Sequence, residues 1–198
     1  EKCKHKIGDK WEAFANFWRT TQLEYTWLRS LMGRHRDFWK ITEDSLEKSM
    51  QVFGVDKNMK NELLNLYKVL SPYPEVKNVL ETLKDQNFKL AILSNGTPSL
   101  LNELVSSNDL NNLFDDLFSV EEVKVFKPAS KVYEIPTKKY NIKASQITFL
   151  SANTWDVSGA GNFGYKSVWV NRNKSKFDLL DYQPKNEVSN LTQLLDIV

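Results

Sequence analysis

The feature that most limits what this chain can fold into is a change of hydrophobic period at Pro72 and Pro74. Before it, Trp11, Phe14, Trp18, Tyr25, Leu28 and Met32 recur at steps of three, four or seven with charges between them. That is the stripe of a long amphipathic helix, with a stop predicted at Gly33. A second helix is predicted from Thr42, where Thr42, Glu43, Asp44 and Ser45 offer a cap and early acids, to about Gly54. A third covers roughly residues 58–70, and the prolines forbid its continuation.

After Pro74 the pattern becomes short apolar runs at residues 89–94, 114–120, 147–150 and 167–171. Helical patterns fill the spaces at 75–86, 98–107, 130–140 and 156–163, and a short strand and brief helix close the chain at 187–198. Runs this short and this apolar suit strands buried on both faces, and their alternation with helices predicts a parallel sheet. The expected class is α/β: a helical module over residues 1–72, then a Rossmann-like, doubly wound core over 73–198.

Bulk properties remove several function classes. The 198 residues carry 27 basic and 25 acidic side chains, so no field of one sign favours nucleic acid. The basic opening, Lys2, Lys4, His5 and Lys6, reads as a solvated terminus. No run approaches the ~18 apolar residues of a membrane span. The single cysteine, Cys3, cannot form an internal disulfide, which fits a reducing, cytoplasmic compartment.

In an open parallel sheet, ligands bind beyond the carboxyl ends of the strands. Ser94, Asn95 and Gly96 follow the first run, Lys124, Phe126, Lys127 and Pro128 the second, and Ser151, Asn153, Trp155 and Asp156 the third. Taken singly, each has a plain reading: Asn95 and Gly96 as a turn, Lys127 as a loop cation, Asp156 as a helix N-cap. Their convergence on one edge, in chain order, makes them the candidate site. Gly159, Gly161 and Gly164 spell a dinucleotide fingerprint, but the preceding strand ends near Leu150 and no helix fits after Gly164. These glycines are expected to let a helix pack closely on the sheet and then end it.

The strand-end residues resemble motifs two to four of the haloacid dehalogenase superfamily. Residues 22–32 (QLEYTWLRSLM), 92–96 (ILSNG), 125–128 (VFKP) and 151–156 (SANTWD) narrow the resemblance to the (S)-2-haloacid dehalogenases, over about residues 11–195. The resemblance implies a helical-bundle cap inserted into the core and hydrolysis of small (S)-2-haloacids through an aspartyl ester, with no cofactor and no metal. It implies that Arg19, Asn95 and Phe38 cradle the departing halide and that Ser94 helps hold the substrate carboxylate. Lys127 would sit between carboxylates, Asp156 would position water with Ser151 and Asn153 orienting it, and Leu23, Tyr133 and Trp155 would line the pocket. Homodimerisation is common in that family.

Motif one, a strand ending in the nucleophilic aspartate, has no counterpart. Asp9 follows Ile7 and Gly8 without an apolar strand and reads as the N-cap of the first helix. The expectation is therefore a chain that begins just after motif one and is inactive alone. Two alternatives stay open. One is a Mg²⁺-dependent phosphatase of the same fold, disfavoured because Ser151 and Asn153 are neutral where Mg²⁺ requires anionic oxygens. The other is a non-catalytic relative that keeps the pocket.

Overall fold

The structure is a computed structural model that describes residues 4–198. Lys2 and Cys3 lie outside the described residues. After a helical turn at Lys4–Ile7 come α1 (Trp11–Leu31), α2 (Phe38–Phe53) and the short α3 (Lys60–Asn65). The predicted stop holds: Gly33 follows α1 with φ +63°, and Gly54 closes α2 at φ +66°. The start of α2 is a correction. Asp37, not Thr42, caps it, its carboxylate accepting from the Lys40 amide at 2.9 Å. Asp9 is a second correction, since it lies inside a 3₁₀ turn at Gly8–Lys10, and among the described residues no side chain caps α1.

The rest alternates as α4 (Val76–Asp85), β1 (Ala91–Ser94), α5 (Pro98–Ser107), β2 (Asp116–Ser119), α6 (Ser130–Tyr140), β3 (Thr148–Ser151), α7 (Thr154–Phe163), β4 (Lys166–Val170) and β5 (Asn186–Val188). Every strand pair is parallel, with β1 beside β2, and β3, β4 and β5 in order. The fold is α/β, as the alternation predicts. Among the described residues no helix is long and apolar enough to cross a membrane.

Four apolar clusters hold these elements. Phe14, Trp18, Leu46, Met50, Leu63 and Leu64 pack α1, α2 and α3 together. Phe38 and Ile41 of α2 pack with Phe118, Val120, Phe126, Val132 and Ile135, fastening the helical region to the sheet region. Val79 and Leu83 of α4 cover Val168, Val170 and Val188, while Tyr133, Phe149, Ala160 and Tyr165 fill the opposite side.

The two sheets are not bonded to each other. A cavity of about 620 Å³ lies between them, lined by Ala91, Ile92 and Leu93 of β1 and by Thr148, Phe149 and Leu150 of β3. Residues of both strands line this cavity, which forms a slot with largely apolar walls between the two sheets.

The glycines of α7 do allow close packing, but against other partners than the sheet. A Cβ on Gly159 would lie 2.6 Å from Pro128 and 2.7 Å from the Tyr133 hydroxyl, and one on Gly161 would collide with the Tyr182 ring.

Candidate active site

The strand ends, the first turn of α7 and the helices α1 and α2 meet around a cavity of about 470 Å³. Arg19, Leu23 and Phe38 line it from the helical region. Ser94, Asn95, Lys127, Ser151, Asn153, Trp155 and Asp156 line it from the sheet region. The slot and this cavity share Leu93 and Leu150, so the slot opens at its carboxyl end into the site.

Lys127 and Asp156 form the floor. They are 5% and 4% exposed, with the ammonium 3.1 Å from Asp156 Oδ2. A buried charge of this kind persists only when paired. The Lys127 ammonium also lies over the Phe149 ring at 4.7 Å. Burial pulls the Lys127 pKa below its ordinary value, and the Asp156 carboxylate opposes that shift. Asp156 is therefore no N-cap: α7 starts at Thr154, and the carboxylate points inward from its first turn.

Tyr133 departs from its expected place. It is fully buried behind Asp156 and does not line the cavity; its hydroxyl donates to Asp156 Oδ1 at 2.7 Å. Burial first, and the Asp156 carboxylate second, push the phenol pKa far up, so it remains a donor. The two Asp156 oxygens are thus separately tied, one to an ammonium and one to a phenol.

Turn chemistry sets the neighbours. Ser94 Oγ accepts from the Gly96 amide at 3.0 Å, and Ser151 Oγ accepts from the Asn153 amide at 3.1 Å. Asn95 Oδ1 accepts from the Lys127 amide at 3.1 Å, which commits its oxygen end and leaves the NH₂ end to donate. Arg19 bridges the two regions, its guanidinium donating to Asn153 Oδ1 at 3.2 Å. Above, Trp27 of α1 meets Trp155 edge to face at 5.6 Å. Phe38 has both expected characters, lining the cavity while packing on Phe126 at 6.4 Å.

Sequence reasoning missed Gln22, Thr42 and Tyr67. Gln22 is fully buried between α1 and α2, and Tyr67 lines the cavity. The available signal was a glutamine on the apolar stripe, one turn after Arg19.

The strand ends thus present a paired ammonium and carboxylate beside the Arg19 guanidinium and the Asn95 amide, and the comparisons with known proteins give this arrangement its class. The sequence profile of the haloacid dehalogenase-like hydrolases matches residues 12–170. An (S)-2-haloacid dehalogenase of Pseudomonas putida is 39% identical over 97% of this chain and 86% of its own length. A crystal structure of a dehalogenase superposes with a TM-score of 0.96 at 31% identity, covering 100% of this chain and 88% of the other. The L-2-haloacid dehalogenase of Xanthobacter autotrophicus with chloropropionic acid covalently bound superposes with a TM-score of 0.91 at 29% identity, over 99% and 89% of the two chains. The chain belongs to the haloacid dehalogenase-like hydrolases, in the family of the (S)-2-haloacid dehalogenases.

Proposed function

We propose that the protein hydrolyses small (S)-2-haloacids to (R)-2-hydroxyacids through an aspartyl ester, without a metal. The observation that carries this reading is the buried Lys127–Asp156 pair facing Arg19 across a half-apolar cavity. A nucleophilic carboxylate attacks C2, the new C–O bond forms as the C–halogen bond breaks, and the bonding pair leaves as halide. Inversion follows from attack opposite the leaving group. Water then adds to the ester carbonyl, giving one proton to Asp156. The acyl carbon–oxygen bond breaks, and the departing 2-oxygen takes the other proton of the added water. The nucleophile returns as a carboxylate while Asp156 passes its proton to solvent.

The carboxylate that attacks is supplied by an extended segment in the slot between β1 and β3. Its carboxyl end would arrive beside Lys127, whose positive charge keeps both carboxylates ionised. Arg19 and the NH₂ group of Asn95 receive the halide, with Phe38 closing that side; fixed donors of this kind act where charge develops. Ser94 holds the substrate carboxylate. Ser151 and Asn153 shape the loop that positions Asp156 and its water, while Leu23 and Trp155 enclose the alkyl group. Tyr133 acts from behind, fixing the carboxylate. A divalent ion is disfavoured because both Asp156 oxygens already face donors and the loop is otherwise neutral.

The domain division belongs to the same reading: residues 1–72 as a cap, and 73–198 as a doubly wound core that the slot segment completes. The exposed Leu28, Leu31 and Met32 at the end of α1 support a homodimer. A lone cysteine supports a cytoplasmic setting.

The test is halide release from (S)-2-chloropropionate by the full-length protein, its slot filled, in chelator and then in Mg²⁺. Release unaffected by chelator supports the reading. Mg²⁺-dependent hydrolysis of phosphate esters, with no halide released, overturns it.

A further inference from the structure

We infer that Gln22, held by Thr42 and Tyr67, is a positioning residue that aims the Arg19 guanidinium at the leaving halide. The inference rests on the proposed dehalogenation and adds to it a group that does not touch substrate.

Proton counting fixes the direction of this network. The Thr42 hydroxyl has one proton and spends it on the Phe38 carbonyl at 2.8 Å. It must then accept from Gln22 Nε2, which stands 2.7 Å away. With its nitrogen so committed, the amide cannot flip, and Oε1 points to the other side. There it accepts from the Tyr67 hydroxyl at 3.2 Å and from Arg19 Nη1 at 3.4 Å. The other guanidinium nitrogen donates to Asn153.

Arg19 itself is exposed on the cavity side, so little packing restrains its long side chain. Gln22 is fully buried and Tyr67 largely so, within the helical packing. Burial raises the Tyr67 pKa against the opposing Arg19 charge and Gln22 hydrogen bond, which keeps the phenol a donor. A neutral acceptor is the appropriate partner. It orients the guanidinium and leaves the full positive charge for the halide, whereas a carboxylate in its place would compete with the halide for that charge.

The experiment compares Gln22→Glu, Gln22→Met and Tyr67→Phe with Arg19→Lys in the full-length protein. Steady-state rates are read with (S)-2-chloro- and (S)-2-bromopropionate, together with product inhibition by chloride and each variant's melting temperature. Chloride is the poorer leaving group and gains more from a well-aimed donor. Tyr67→Phe is expected to lower kcat for the chloro substrate by about 10-fold, and to weaken chloride inhibition similarly, for loss of one hydrogen bond. Bromopropionate should suffer less and KM should move little. Gln22→Glu should weaken chloride inhibition more than Gln22→Met does. Equal losses on both substrates with unchanged chloride inhibition, while Arg19→Lys changes both, would overturn the positioning role and leave the dehalogenase reading intact. A wild-type protein that releases no halide would instead remove the reading beneath it.

Discussion

The two regions that meet at the cavity handle charge in opposite ways. On the sheet side, Lys127 and Asp156 are almost sealed from solvent and tied to each other and to the fully buried Tyr133. On the helical side, the charged group is exposed and its support is buried: Arg19 stands at the surface of the cavity, while Gln22 and Thr42 behind it are wholly enclosed. A buried ion pair is preorganised but costly to break. An exposed cation costs little to desolvate and needs a scaffold to give it direction. The sheet side therefore suits a step in which a water must be held and deprotonated, and the helical side a step in which an anion must depart.

Breaking the sheet-side pair should have the largest effect. Lys127→Met leaves the Asp156 carboxylate buried without its cation, and the expected result is a loss of ~3–5 kcal/mol of stability together with loss of turnover. Chemical denaturation and a halide assay check both. Lys127→Arg sharpens the same point through pH. Because burial lowers the Lys127 pKa, its charge is lost as pH rises before the ordinary value of 10.5 is reached. The alkaline limb of kcat/KM should then fall below that value in the wild type and move upward in Lys127→Arg. Stability has the opposite sign: the cost of burying the ammonium is fully present at neutral pH and is relieved as pH rises through the folded-state pKa, where the unfolded chain binds more protons.

Gly159→Ala comes next. Its methyl group would enter the space of Pro128 and the Tyr133 hydroxyl, so overpacking should cost ~1–3 kcal/mol and disturb the phenol that holds Asp156. A lowered melting temperature accompanied by slower halide release is expected. The smallest effect belongs to the aromatic contact between the regions: Trp27→Phe should cost ~0.5–1.5 kcal/mol in melting experiments and leave kcat nearly unchanged.

Much of the fold was legible because hydrophobic period depends on local chain geometry. The change of period at Pro72 and Pro74 separated the helices from the strand runs, and α5 and α6 fall where their patterns place them. Helix starts were less legible. Thr42 resembles a cap by composition, yet Asp37 does that work and Thr42 turns inward to Gln22. The strand-end rule brought Ser94, Asn95, Lys127, Ser151, Asn153 and Asp156 to one cavity. It did not separate wall from support. Tyr133 carries the same letter whether its ring faces a ligand or its hydroxyl holds a carboxylate from behind. Gln22 was hidden for a related reason, since its role depends on a proton count across two helices.

The central claim is that Asp156 serves hydrolysis of the ester and not its formation. Intact-mass measurement of full-length Asp156→Asn after incubation with (S)-2-chloropropionate tests it most directly. The account predicts that one halide is released per chain and that a single propionate unit remains covalently attached, whereas the wild type turns over without accumulating it. Continued turnover by Asp156→Asn, or loss of halide release with no adduct formed, would contradict it.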